Sequence, residues 1–242
     1  MNNTIDINCD VGEGVGNESE LFPLISSCNI SCGAHAGSID TIKKCLDLSK
    51  SYNVKVGAHP SYPDRKNFGR VSLQISRADL IVSIRSQMEV FNNAREQVGV
   101  DLHHIKPHGA LYNDIAKNET LAEIFLEAIA GFRNSTFLYV PYNSVIQKLA
   151  EKNGFRVLVE AFADRNYNDD LSLVARKEKN ALLNNGEEVL AHILYMHKNK
   201  KVKTVSGKSL PMYADTFCIH GDTPSALQIL TYITEYLSEH NL

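Results

Sequence analysis

Short apolar runs, each ended by a polar cluster, recur along the chain, and segments of helical period fill many of the gaps between them. The runs cover residues 5–9, 28–32, 54–58, 102–105, 136–140, 156–162 and 216–219, and each reads as a strand. Between them, Ile81, Ile84, Met88 and Phe91 fall three, four and three apart, which is one face of a helix. Ser76 and Asp79 precede that face as a capping box with Asp in place of Glu. Leu121, Ile124, Phe125, Ala128 and Ile129 form a second stripe, and Leu227, Leu230, Ile233 and Leu237 a third. Thr223 and Pro224 are placed to be the N-cap and first-turn proline of that last helix. Residues 201–212 read as a hairpin turning near Ser206-Gly207.

Strand–helix alternation predicts an α/β fold of parallel strands joined by crossover helices. Seven strands in one domain, residues 1–242, predict a distorted seven-stranded parallel βα barrel. The alternative is an open doubly wound sheet. In both, a site forms beyond the carboxyl ends of the strands, which is where the polar clusters fall.

Composition narrows the function classes. The chain has 242 residues, 43% of them hydrophobic, which suits one globular α/β domain with a buried core. Twenty-five Lys and Arg against 28 Asp and Glu give a formal charge of −3, with no bulk attraction to nucleic acid or an anionic membrane. The N-terminus lacks the basic and apolar regions of a signal peptide, and no run reaches the ~18 apolar residues of a membrane helix. A cytoplasmic location is therefore expected. Five cysteines, an odd and small number, predict reduced thiols rather than a disulfide framework. Cys28 and Cys32 have no second ligand pair that would make them a zinc site.

The clusters carry the candidate chemistry. Asp10 and Glu13 follow the first strand and suit acid–base work or a cation, as well as loop capping. Gly12, Gly14 and Gly16 do not match a dinucleotide fingerprint, because position 17 is Asn. His35 and His59 follow the second and third strands. With Asp10 they make either a divalent-metal set or a metal-free acid–base set. In Lys106-Pro107-His108-Gly109, proline restricts the backbone between a cation and an imidazole and directs both to one volume. Lys106 suits an anion or a polarised carbonyl oxygen, and His108 suits proton transfer. Asp164-Arg165 reads as a local ion pair or an anion fork, and His220 with Asp222 as a further acid–base pair. Ser61, Tyr62, Tyr112 and Asn113 are candidate hydrogen-bonders to a substrate. No G-x-S-x-G elbow occurs, and Gly207-Lys208-Ser209 is no P-loop, since position 202 is Val.

Together the strings IDINCDVGEG, CNISCGAHAG, VGAHPSYPDRKNFGR, HIKPHGALYN, EAFADRNY and CIHGDTP resemble, in order, the LamB/YcsF family, the family of 5-oxoprolinase A subunits. Ala34, Ser38 and Val71 depart from its usual pattern of an aromatic, an Asp and a second Arg at those positions. The resemblance implies a seven-stranded βα barrel like those of glycoside hydrolases and deacetylases. It implies ATP-coupled opening of the 5-oxoproline lactam to L-glutamate, with partner subunits B and C and with ATP used by the complex. It implies catalytic roles for Asp10, Glu13, His35, His59, Lys106 and His108. Substrate contacts are then expected from Asn8, Ser61, Tyr62, Tyr112, Asp164, Arg165, His220 and Asp222. Two alternatives stand beside this reading. One is a metal-dependent, deacetylase-like hydrolase using Asp10, His35 and His59; the other is a non-catalytic barrel that binds the ligand or scaffolds its partners.

Overall fold

The computed structural model describes residues 4–223 and 225–242. Seven parallel strands close a barrel: β1 (Asp6–Val11), β2 (Ser27–Ser31), β3 (Lys55–His59), β4 (Leu102–Ile105), β5 (Phe137–Pro141), β6 (Arg156–Phe162) and, after a hairpin of β7 (Lys201–Lys203) and β8 (Ser209–Pro211), β9 (Thr216–Cys218). The last strand closes the ring by pairing with both β1 and β6. The α/β barrel expected from the alternation of elements is therefore the observed fold, and the open sheet is not. The antiparallel hairpin lies at residues 201–211, with Gly207 at φ +85° in its turn.

Helices clad the outside with the stripes that the sequence marks. Ile81, Ile84, Met88 and Phe91 are all buried on the helix Arg77–Val98, and Ser76 Oγ accepts from Asp79 N–H at 3.1 Å. Ile124, Phe125 and Ala128 are buried on Glu119–Ala128; Leu230, Ile233 and Leu237 on Ala226–His240. The residue flanking that last helix is Ser225, not Thr223, whose hydroxyl instead donates to the His220 carbonyl; Pro224 lies outside the described residues. Among the described residues no helix is long and apolar enough to cross a membrane. All five cysteines are buried and free.

The barrel interior departs from the usual filling of branched apolar side chains. Alternate residues of β1 split by chemistry. Ile7, Cys9 and Val11 join the apolar layer, whereas Asp6, Asn8 and Asp10 enter a buried polar network. Thr216 Oγ1 donates to Asp6 Oδ1 at 2.7 Å, and Asn8 Nδ2 donates to Thr216 Oγ1 at 2.9 Å. Asn29 Nδ2 donates to Asn8 Oδ1 and Asp10 Oδ1 at 2.9 and 2.8 Å. His104 Nε2 donates to Asn29 Oδ1 at 2.6 Å, since an amide oxygen only accepts. Buried polar groups of this kind are tolerable only when paired, so the network fixes the rotamers at the barrel mouth. Gly57 makes room for it: a Cβ there would stand 2.1 Å from His104 Nε2. The β3–β4 register shifts between Val56 and Gly57, at that same level.

Candidate active site

A cavity of about 600 Å³ opens at the carboxyl ends of the strands. Asp10, Glu13, His59, Lys106, His108, Tyr112, Arg165, His220 and Asp222 all line it, although they are as far apart as 212 positions in sequence. The loop after β6 forms one wall, through Asp170–Arg176.

Lys106 lies at the centre. It follows β4 directly and is 2% exposed. Its Nζ stands 2.8 Å from Glu160 Oε1 and 3.0 Å from Asp10 Oδ1, with Asn8 Oδ1 at 3.3 Å and Cys218 Sγ at 3.2 Å. Burial alone would drive off its proton, but the negative charges of Asp10 and Glu160 hold the pKa well above the ordinary lysine value, so it is an ammonium. Asp10 responds in the opposite sense: burial would raise it, yet His59 and Lys106 keep its carboxyl well below the usual range.

Beside Asp10 stands a group of imidazoles. His35 and His108 stack with ring centroids 3.7 Å apart, and His59 meets both edge-on. Glu13 Oε1 lies 2.9 Å from His35 Nε2 and 3.1 Å from His108 Nδ1. His35 is pushed down to about 4 by burial, so its ring is neutral at physiological pH. Gly69 allows the stack: it sits at φ +62°, and a Cβ would lie 3.0 Å from His108 and 3.1 Å from His35. The atoms that converge on one point are those of Glu13, His35, His59 and His108. The expected set of Asp10, His35 and His59 shares its two histidines with this group; Asp10 Oδ1 is occupied by Lys106 and Asn29, while Asp10 Oδ2 faces His59 Nε2 at 3.4 Å.

On the opposite wall Asp164 accepts from His220 Nδ1 at 2.9 Å and from the His220 backbone N–H at 3.0 Å. A carboxylate only accepts, so His220 carries its proton on Nδ1 and keeps a lone pair on Nε2. The ring stacks on Phe162. Asp222 pairs with Arg70 at 2.6 Å, and Tyr112 keeps a buried hydroxyl whose pKa burial and Glu160 raise further.

Several expected contacts fall elsewhere. Arg165 lines the cavity but donates to the carbonyls of Val174 and Ala181, tying down the loop rather than forming a free anion fork. Its expected partner Asp164 pairs with His220 instead. Ser61 is buried and donates to the Tyr62 carbonyl; Tyr62 donates to Asp114, and neither lines the cavity. Asn8 lies in the buried network beneath Asp10 and reaches the site through Lys106 and, by way of Asn29, through Asp10. Asn113 lines the cavity, with its amide donated to the Gly109 carbonyl. Sequence reasoning missed Glu160, Asn29 and His104. The signal for Glu160 was visible, since it is the one carboxylate inside an otherwise apolar run, VLVEAFA.

The LamB/YcsF family model matches residues 5–242. The chain belongs to the LamB/YcsF family. It is 39% identical over 234 residues to a protein of Tolumonas auensis named as a 5-oxoprolinase A subunit, covering 95% of this chain and 93% of that one. A Pyrococcus abyssi protein of the same name is 37% identical over 243 residues, covering 98% and 95%. Among solved structures, a lactam utilization protein from Thermus thermophilus superposes with a TM-score of 0.91 at 33% identity, covering 98% of this chain and 97% of that one. A protein from Enterococcus faecalis described as a putative cellobiose-phosphate cleavage protein shares the fold alone, with a TM-score of 0.60 at 13% identity.

Proposed function

We propose that this chain is the A subunit of an ATP-dependent 5-oxoprolinase and opens the 5-oxoproline lactam to L-glutamate together with subunits B and C. The observation that carries this reading is identity of 37–39% with proteins named as 5-oxoprolinase A subunits, over 93–95% of their own length. Those names themselves imply a multi-subunit enzyme. The cavity geometry supports the chemistry. Amide resonance makes a lactam carbonyl a poor electrophile, and phosphorylating its oxygen at the expense of ATP removes that resistance. Water then adds to the ring carbon, the C–N bond breaks as the nitrogen takes up a proton, and a second water releases inorganic phosphate from the resulting acyl phosphate to leave the glutamate carboxylate.

Roles follow from the positions. The Lys106 ammonium, buried beside Asp10 and Glu160, is placed to offset charge on the activated oxygen. His220, with Nδ1 held by Asp164, offers Nε2 as a base for water or an acid for the leaving nitrogen. Asp10 orients Lys106 and His59. The sequence carries no P-loop, so phosphoryl transfer is assigned largely to the partners, and this chain receives the activated lactam. The test is glutamate release from 5-oxoproline and ATP by this chain with and without B and C. Turnover only in the complex supports the division of labour, and full turnover by the lone chain contradicts it. The Glu13–histidine cluster also favours a divalent ion in the site, and its ligands are argued next.

A further inference from the structure

Glu13 Oε1, His35 Nε2, His59 Nε2 and His108 Nδ1 lie within 4.8 Å of one another. Their lone pairs outnumber their protons. His59 Nδ1 lies 2.7 Å from the Lys106 carbonyl oxygen, and His108 Nε2 lies 2.9 Å from that of Phe68. A carbonyl oxygen only accepts, so in the neutral rings both outer nitrogens carry the proton. The inner nitrogens, His59 Nε2 and His108 Nδ1, therefore turn lone pairs on each other across 3.0 Å. Glu13 Oε1 adds a third acceptor, 3.1 Å from His108 Nδ1.

His35 is different. Its Nε2 lies 2.9 Å from Glu13 Oε1, while its Nδ1 is buried with no hydrogen-bond partner among the described residues. Were Nε2 a metal ligand, the ring proton would be stranded on Nδ1 with nothing to accept it. His35 thus donates Nε2–H to Glu13 and supports it from outside, as outer partners of ligating carboxylates do.

One shared proton cannot serve three facing acceptors equally, whereas a divalent cation accepts all three lone pairs at once. The three ligand atoms lie 3.0, 3.1 and 3.8 Å apart, a spacing that bonds of about 2.0–2.2 Å to a common centre can span.

We propose that Glu13, His59 and His108 bind one divalent transition-metal ion, with Asp10 Oδ2, 3.4 Å from His59 Nε2, as the fourth ligand. Two imidazoles and two carboxylates suit zinc, cobalt or manganese. Such an ion supplies a Lewis acid for a carbonyl oxygen or lowers the pKa of a bound water. The inference goes beyond the lactam reading and does not rest on it, because binding is measured on this chain alone.

The experiment uses the purified chain stripped with EDTA and titrated with Co²⁺ alone and with Zn²⁺ alone. Calorimetry should give one equivalent, Co²⁺ should develop visible ligand-field absorption, and the melting temperature should rise. His59→Gln and His108→Gln should each weaken binding by at least ~100-fold, beyond the ~10–100-fold expected for His35→Ala as an outer partner. Should a histidine variant fail to fold, the near-isosteric Glu13→Gln gives the same readout. Absence of saturable binding below about 1 mM of either metal, or binding unchanged in the folded ligand variants, overturns the proposal. A cluster held together by a shared proton would give the first of those results.

Discussion

Gly57→Ala isolates the buried network that holds the site. Gly57 lies in β3 and has no need of a left-handed backbone, so alanine costs nothing in conformation. Its Cβ would stand 2.1, 2.4 and 2.5 Å from three atoms of the His104 ring. Ordinary contacts between such atoms are about 3.5–4.0 Å, so the ring must shift by more than an ångström. That shift breaks the 2.6 Å bond to Asn29 and the stack on Tyr139, whose ring centroid lies 3.8 Å away. Overpacking contributes about 1–3 kcal/mol and an unpaired buried acceptor about 1–3 more. The unfolded chain's lower entropy returns about 0.4–1. The expected loss is about 2–5 kcal/mol, or roughly 4–20 °C in Tm for a chain of this length. Urea denaturation and thermal melts by circular dichroism measure it. The double variant with His104→Ala removes the clash, so it should be no less stable than His104→Ala alone within about 0.5 kcal/mol. Wild-type stability in Gly57→Ala, or simple addition of the two single losses, would refute the packing argument.

Three other perturbations test separate parts of the site. Lys106→Met leaves Asp10 and Glu160 without their ammonium; breaking such a buried pair should cost about 3–5 kcal/mol in urea denaturation, and kcat of the reconstituted enzyme should fall ~10²–10³-fold. Asp164→Asn replaces one accepting oxygen by a donating NH2, so the proton of His220 is no longer fixed on Nδ1, and kcat should drop ~10²–10⁴-fold with the fold retained by circular dichroism; unchanged kcat would remove His220 from proton transfer. His104 is held well below the ordinary histidine value, chiefly by burial, and so is neutral when folded. The unfolded chain then binds the extra proton below pH ~6.5, and this contribution to stability is lost as pH falls from there. His104→Gln should flatten the stability–pH slope below that pH by up to ~1.4 kcal/mol per unit, and an unaltered slope would show that the ring titrates normally.

Periodicity revealed the barrel because its strands and helices obey local rules. All seven apolar runs became barrel strands, and the Ser76 box capped the helix it preceded. Lys106, His108, His59 and Asp10 were legible for the same reason, since each stands where a strand ends. What local pattern does not carry is pairing across the ring. Glu160 looked like an interruption of a strand until closure set it against Lys106. Asn29 and His104 lie 75 positions apart, and only the β2–β3–β4 register brings them together. Arg165 shows the converse: an arginine beside a site reads as an anion fork, but the carbonyls of Val174 and Ala181 take its donors. Ser61 and Tyr62 followed a strand as expected, yet the chain turns them under Gln87 and Asp114 instead of into the cavity.

The central claim is that the strand-end cavity is where the lactam is opened. Its most direct test is ATP-dependent release of glutamate from 5-oxoproline by this chain combined with B and C, using wild type and Asp10→Asn at matched folded concentration. Asp10 Oδ1 holds Lys106 at 3.0 Å and Oδ2 faces His59 at 3.4 Å, so the amide should lower kcat while the assembled complex persists. Full turnover by a folded, assembled Asp10→Asn complex, or no glutamate from the wild-type complex, would contradict the account.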